Sequence, residues 1–151
     1  MSQPRTEPGT AEHAGQYTTF WLGDGLYGIE VERVREVLRQ QDLTRVPLAP
    51  ATVAGLINLR GQVVTAINLR ERLELGRPDG ETSSMLVVVL VAGEPIALVV
   101  DRIGGVIDVT TDQFELPPDT LTGVVRELVF GAYKLDGQLL LSLDVEAAVA
   151  A

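Results

Sequence analysis

The 151-residue chain has no cysteine and a single histidine, His13. The first absence removes disulfides, thiolate nucleophiles and cysteine-ligated zinc together, and it agrees with a reducing compartment. The second leaves imidazole acid–base chemistry and imidazole metal sites without a basis. Positive charge is also scarce: 12 Lys and Arg face 21 Asp and Glu, a net charge of -9. That is the wrong sign for neutralising phosphates, so the bulk field argues against nucleic acid or an anionic membrane as the main partner.

Long apolar runs are missing too. The longest, Met85 to Val100, is interrupted by Gly93-Glu94-Pro95 and is too short to span a bilayer, and the N-terminal stretch has no apolar signal core. A cytoplasmic protein without direct membrane insertion is expected. The serines are Ser2, Ser83, Ser84 and Ser142, none in a nucleophile-elbow setting, and the acidic residues show no spacing that isolates a catalytic pair. No enzyme activity, cofactor or metal is therefore expected.

What the chain does have is 46% hydrophobic and 22% charged residues. At this length that suffices for one compact unit, or two subdomains sharing a core, with about two-thirds of the extended surface buried. Residues 1 to 15 mix Pro, Gly, Thr and charges without periodicity and predict a disordered tail. From Gln16 the pattern is strand-like: Tyr17 to Leu22, a Gly23-Asp24-Gly25 break, then Leu26 to Ile29 make a hairpin. Val31, Val34, Val37 and Leu38 fall on one helical face, which predicts a short amphipathic helix over Glu30 to Gln40. Its charges read as a solvated face with pairs such as Glu36 to Arg39. Val53 to Asn58 and Gln62 to Ile67 form a second hairpin around Arg60-Gly61, closed by one or two helical turns at Leu69 to Leu75. The segment 76–84 is the clearest linker, and another strand pair begins at Met85.

The second half echoes the first. Val100-Asp101-Arg102-Ile103 falls 69 residues after Val31-Glu32-Arg33-Val34, with Leu98 under Ile29 and Val106 under Val37. Further on, Val129, Gly131, Leu135, Gly137 and Gln138 repeat Val53, Gly55, Leu59, Gly61 and Gln62 at a spacing of 76. The seven additional residues belong to the stretch from Thr110 to Arg126. An internal duplication follows: two β-rich subdomains, each of two hairpins and helical turns, packed about a pseudo-twofold axis, with a boundary near the 76–84 linker.

Two motifs need weighing. Gly23-Asp24-Gly25-Leu26-Tyr27-Gly28 matches the G-x-G-x-x-G fingerprint, the basis for a rival reading as a nucleotide-dependent enzyme. That fingerprint needs a helix opening within its glycines, whereas Leu26 to Ile29 reads as a strand. At the second hairpin, Asp136-Gly137 suits a type I′ turn, while its first-half counterpart Arg60-Gly61 puts an arginine where positive φ would be strained. A type II turn would relieve it. Arg60 is thus either a plain solvent-facing residue or a partner-facing anchor on a hairpin tip, and Arg60→Asp is expected to keep stability while weakening binding.

The run Tyr27-Gly28-Ile29-Glu30-Val31-x-x-Val34-x-Glu36-Val37, then Val46-Pro47-x-Ala49-Pro50, Gly55-x-Ile57-Asn58-Leu59-Arg60-Gly61-Gln62-Val63, Asn68-Leu69-Arg70 and Val99-Val100-Asp101, closely resembles the CheW family of chemotaxis coupling proteins. The resemblance spans about residues 16 to 149. It implies an all-β fold of two SH3-like five-stranded β-barrel subdomains with short helices, intertwined within one domain over 16–151. It also implies a non-catalytic adaptor that couples the cytoplasmic tip of a methyl-accepting chemoreceptor to the regulatory domain of a CheA-type histidine kinase, recruited to membrane receptor arrays through those partners. An adaptor of a related twitching, gliding or developmental pathway is the alternative within the class. By motif position, the resemblance assigns Glu36 and Arg60 as polar members of the partner-binding surface, with Val31, Val34 and Val100 as its apolar floor near the subdomain junction. Ala66 and Asn68 depart from the family pattern, where proline and aspartate are frequent. That departure bears on partner identity.

Overall fold

A computed structural model of the chain describes residues 15–39, 42–76, 84–121 and 123–150. Residues 1–14 of the expected tail and 77–83 of the expected linker lie outside the described residues. The described residues begin with a hairpin of β1 (Gly15–Leu22) and β2 (Gly25–Glu30). β3 (Val34–Arg39) follows, then a second hairpin of β4 (Val53–Leu59) and β5 (Gln62–Asn68), closed by the single turn of α1 (Leu69–Arg72). The pattern then recurs as β6 (Met85–Val91), β7 (Glu94–Val100) and β8 (Arg102–Val109). The short β9 (Phe114–Glu115) and α2 (Gly123–Glu127) precede β10 (Val129–Leu135), β11 (Gln138–Leu143) and α3 (Val145–Val149).

These strands make two sheets. One runs β8-β1-β2-β11-β10-β9 and the other β3-β6-β7-β5-β4. Each sheet takes strands from both sides of residues 77–83, so the sequence halves exchange their hairpins. The fold is all-β with short helices, as expected. The sixth strand is the two-residue β9, whose counterpart in the five-stranded sheet is the isolated bridge between Thr44 and Leu56.

The register bears out the repeat. The parallel pairing that joins the halves sets Thr65 against Ile96 in one sheet and Leu141 against Tyr27 in the other, which are the same positions under spacings of 76 and 69. Bulges recur between Val53 and Gly55 and between Val129 and Gly131. Gly55 is required at the first: its φ is +153°, and a Cβ there would lie 2.7 Å from the Thr44 carbonyl oxygen. The helix caps recur as well. Asn68 accepts from the Glu71 N–H and Asp144 from the Ala147 N–H, each filling an orphan donor of a first turn.

Among the described residues, alternation along the strands divides the apolar side chains among three cores. Tyr17, Leu26, Val109, Tyr133 and Leu140 fill the inside of the six-stranded sheet. Ile57, Val64, Ala66, Leu86, Val88 and Ala97 fill the inside of the five-stranded one. Phe20, Tyr27, Ile29, Val87, Leu98 and Leu141 point the other way and pack in a larger core shared by both sheets. Period-2 patterning thus buries one face in a barrel and the other at the junction.

The expected helix over Glu30 to Gln40 does not form. Val31–Arg33 make one 3-10 turn, and Val34–Arg39 run as an edge strand antiparallel to β6, with Gln40 outside the described residues. Stiff, β-branched valines at 31, 34 and 37 satisfy a helical period on paper but favour the pleated backbone once β6 offers a partner. The change of period moves every side chain: Val37 becomes exposed and Glu36 turns inward.

Candidate functional site

Reading this segment as a strand sets Glu36 opposite Val88 of β6, on the face that looks into the five-stranded barrel. The β4–β5 hairpin tip carries Arg60 to the same place. Its guanidinium donates from Nη1 to Glu36 Oε2 at 2.7 Å and from Nη2 to Glu36 Oε1 at 2.8 Å, a two-pronged pair between residues 24 apart in sequence. The expected Glu36–Arg39 pairing is replaced by this one. Arg60 remains 72% exposed while Glu36 is 17% exposed. Arg60's hydrogen bonds are the main cause that holds the Glu36 carboxyl below the usual glutamate range; burial opposes them, and the charges of Arg60 and Arg35 add to them.

The tip is strained in the sense anticipated. Arg60 has φ +51° and Gly61 φ +84°, both left-handed, which makes the turn type I′, and the Gly61 N–H donates to Asn58 Oδ1 at 2.9 Å. The expectation for the other hairpin is corrected: Gly137 has φ +75°, but Asp136 does not enter the left-handed region, so that turn is not type I′. Strain therefore sits at the arginine tip rather than at the aspartate one.

Beneath the ion pair is a shallow cleft of about 150 Å³, floored by Leu59, Val64, Val88 and Pro95. Val88 and Pro95 were missed in the sequence, because they reach the hairpin tip from β6 and β7 through strand pairing that a helical reading hides. Val34 and Val100 lie at the shared core instead: Val34 is half-buried against it, and Val100, 1% exposed, is part of it. Val31 is half-buried in the 3-10 turn. The structure thus joins Glu36 to Arg60 and places the valines toward the junction, with Val100 closed to direct contact.

A second charged cluster, also unassigned from sequence, ties the halves together. Arg70 of α1 forks the Asp101 carboxylate between β7 and β8, with its Nε donating to Oδ1 at 2.8 Å and its Nη2 to Oδ2, and the Gly23 N–H of the β1–β2 turn donates to the same carboxylate at 2.7 Å. Burial raises the Asp101 pKa, but the Arg70 bonds, the Gly23 N–H and the nearby guanidinium charges outweigh it and leave the carboxyl below the usual range. In the other half Glu146 stands where Arg70 does, and Arg33, the counterpart of Arg102 rather than of Asp101, donates to it at 2.9 Å.

The family departures do not touch the site. Ala66 is fully buried in the barrel, and Asn68 keeps the capping role that Asp144 fills in the other half. The Gly23–Gly28 segment is a turn and the strand β2 with no helix opening in it, which removes the geometry of a dinucleotide site. Ser142 is buried and donates to the Tyr17 hydroxyl at 3.2 Å, a core role. No helix among the described residues is long and apolar enough to cross a membrane.

Two sheets built from a duplicated, exchanged hairpin unit, with a charged tip over a shallow cleft, form the class of adaptor that works through protein surfaces. Residues 16–151 match the CheW-like domain, and the chain belongs to that family. It is 34% identical over 134 residues to the chemotaxis protein CheW of Treponema pallidum, covering 86% of this chain and 79% of that protein. It is 27% identical to the chemotaxis protein CheW of Klebsiella aerogenes, covering 89% and 82%. The fold matches the crystal structure of the scaffolding protein TtCheW from Thermoanaerobacter tengcongensis with a TM-score of 0.82 at 27% identity, covering 91% and 94%. The chain is a chemotaxis adaptor of the scaffold type.

Proposed function

We propose that this chain couples the cytoplasmic tip of a methyl-accepting chemoreceptor to the regulatory domain of a CheA-type histidine kinase, without catalysis, as a cytoplasmic protein recruited to receptor arrays by those partners. The receptor-facing surface comprises Glu36 and Arg60, with Val31 and Val34 toward the junction and Val100 supporting them from within. The observation that carries this reading is an asymmetry between pseudo-equivalent barrel ends. Glu36 and Arg60 correspond to Gly105 and Asp136 in the other half, where no such pair can form. Closure of the fold therefore does not demand the pair, and a strained arginine is retained on one tip alone.

An adaptor of this kind acts by mass action: holding kinase and receptor together raises the effective concentration of one at the other. Signalling follows when receptor state changes the interface energy. Apolar contacts supply affinity there, and the Glu36–Arg60 charges set register and on-rate. The test is calorimetric titration of the full chain with an isolated receptor-tip fragment and with the kinase regulatory domain. Arg60→Asn keeps a residue that tolerates positive φ and removes the charge. Its melting temperature is expected to stay near that of the unsubstituted chain, its receptor-tip binding to fall and its kinase binding to persist. Undiminished receptor binding by this variant overturns the site, and no heat from the unsubstituted chain with either partner at tens of micromolar overturns the coupling role.

A further inference from the structure

The loop between β3 and β4 contains a leucine in a costly place. The Ala49 N–H donates to the Val46 carbonyl at 3.2 Å, closing a turn with Pro47 and Leu48 at its centre. Leu48 has φ +64°. This is the second central position of a type II turn, where the left-handed backbone selects glycine or asparagine. Leu48 also shows 105% relative exposure, so its whole side chain stands in water. Either substitute would relieve strain and remove exposed apolar surface at once.

Among the described residues, the other non-glycine residues with positive φ have local reasons. Arg60 holds Glu36, Ala92 shares a tight hairpin turn with Gly93, and Glu74 follows the end of α1, where a left-handed cap is common. Leu48 has no such reason within the fold. Pro47 and Pro50 stiffen its loop, and Val46 beside it is partly exposed. A rigid apolar knob loses little entropy on docking, which is the property of an interface anchor.

Its position selects the partner. The loop leads into the start of β4, and Arg60 lies past the far end of that seven-residue strand, roughly 20 Å away at ~3.3 Å per residue. A bridge needs two surfaces that can be occupied together. Building on the coupling role above, we infer that Leu48 is the anchor by which this chain engages the kinase regulatory domain, inserting into an apolar pocket of that domain while the Glu36–Arg60 end holds the receptor.

The test uses the full chain with Leu48→Asn and Leu48→Met, titrated against the kinase regulatory domain and against the receptor-tip fragment. Leu48→Asn is expected to raise the melting temperature by about 2–4 °C, to weaken kinase binding by about tenfold or more, and to leave receptor binding unchanged. Leu48→Met is expected to retain kinase binding. A gain of stability with a loss of one affinity separates an anchor from a folding residue. Kinase binding by Leu48→Asn equal to that of the unsubstituted chain overturns the anchor alone, as does equal loss of both partners. A dimer of the unsubstituted chain in sedimentation that Leu48→Asn dissolves assigns the knob to a second copy and overturns the kinase assignment. If the unsubstituted chain fails to bind the kinase domain, the coupling role itself falls and the anchor with it.

Discussion

Arg60 sits in a backbone conformation that favours glycine, and both prongs of its guanidinium are directed at Glu36. Two roles are compatible with that geometry: the pair can hold the hairpin tip over the barrel, or it can present an oriented charge to a partner. Charge reversal separates them. Glu36→Arg and Arg60→Glu each put like charges together, so each is expected to lower the melting temperature and to weaken receptor binding. The double reversal restores an ion pair and is expected to recover stability without recovering receptor binding, because the field now has the wrong sign. Recovery of both in the double variant would show that the pair only holds the tip. The same geometry revises the outcome for Arg60→Asp, which improves the turn residue but sets a second carboxylate against Glu36. Its stability is expected to fall below that of Arg60→Asn, measurable by thermal melts at low salt. At this scale the motif around Asn58 to Gly61 made Arg60 legible in the sequence. Its apolar neighbours Val88 and Pro95 were not, since they arrive from β6 and β7, later in the chain, and depend on register.

The segment after β2 shows why elements differ in legibility. Hairpins with glycine-bearing tips, such as those around Gly61 and Gly93, declare themselves locally through turn chemistry and β-branched flanks. β3 does not, because six residues with valines three apart fit either period and only pairing with β6 decides between them. The repeat was more informative than the local pattern: Val34 to Arg39 lies under Ile103 to Asp108, whose Gly104-Gly105 pair argues against a helix. The paired helix caps offer a quantitative check on that repeat. Asn68→Ala and Asp144→Ala each remove one cap acceptor from a single-turn helix in a different sheet, and each is expected to cost about 1 kcal/mol. The caps share no partner, but the helices are joined directly: Arg72 of α1 donates from Nε to the Ala148 carbonyl at 2.7 Å and from Nη2 to the Ala147 carbonyl at 3.0 Å. The double variant is therefore expected to cost less than the sum in urea unfolding, and strict additivity would mean that the Arg72 link does not couple the two caps.

At the scale of the whole molecule, the exchange of hairpins makes the shared core and its charged junction a common property of both halves. Asp101 links β7, α1 and the β1–β2 turn, and its pKa is lower in the folded chain than in the unfolded one. A depressed carboxyl pKa contributes stability that is complete above the unfolded value of about 4 and is lost as pH falls through the lower folded value. Melting curves between neutral pH and pH 3 are therefore expected to show an acid loss that shrinks in Asp101→Asn, and an equal loss in that variant would assign the effect to other carboxylates. The duplication suggests two modules, yet β1 and β2 pair with β11 through β2, and β3 pairs with β6, so neither half alone can complete a sheet. Cutting within 77–83 severs no described strand. Fragments ending at Gly76 and starting at Ser84 are expected to lack the far-ultraviolet dichroism and dispersed amide spectra of folded β-sheet when separate, and to regain them on mixing at equal concentration, since burying the junction core requires both. A first fragment that folds alone would mean that β1 and β2 can return to their own half, and that the two barrels are independent modules joined in sequence rather than one intertwined domain.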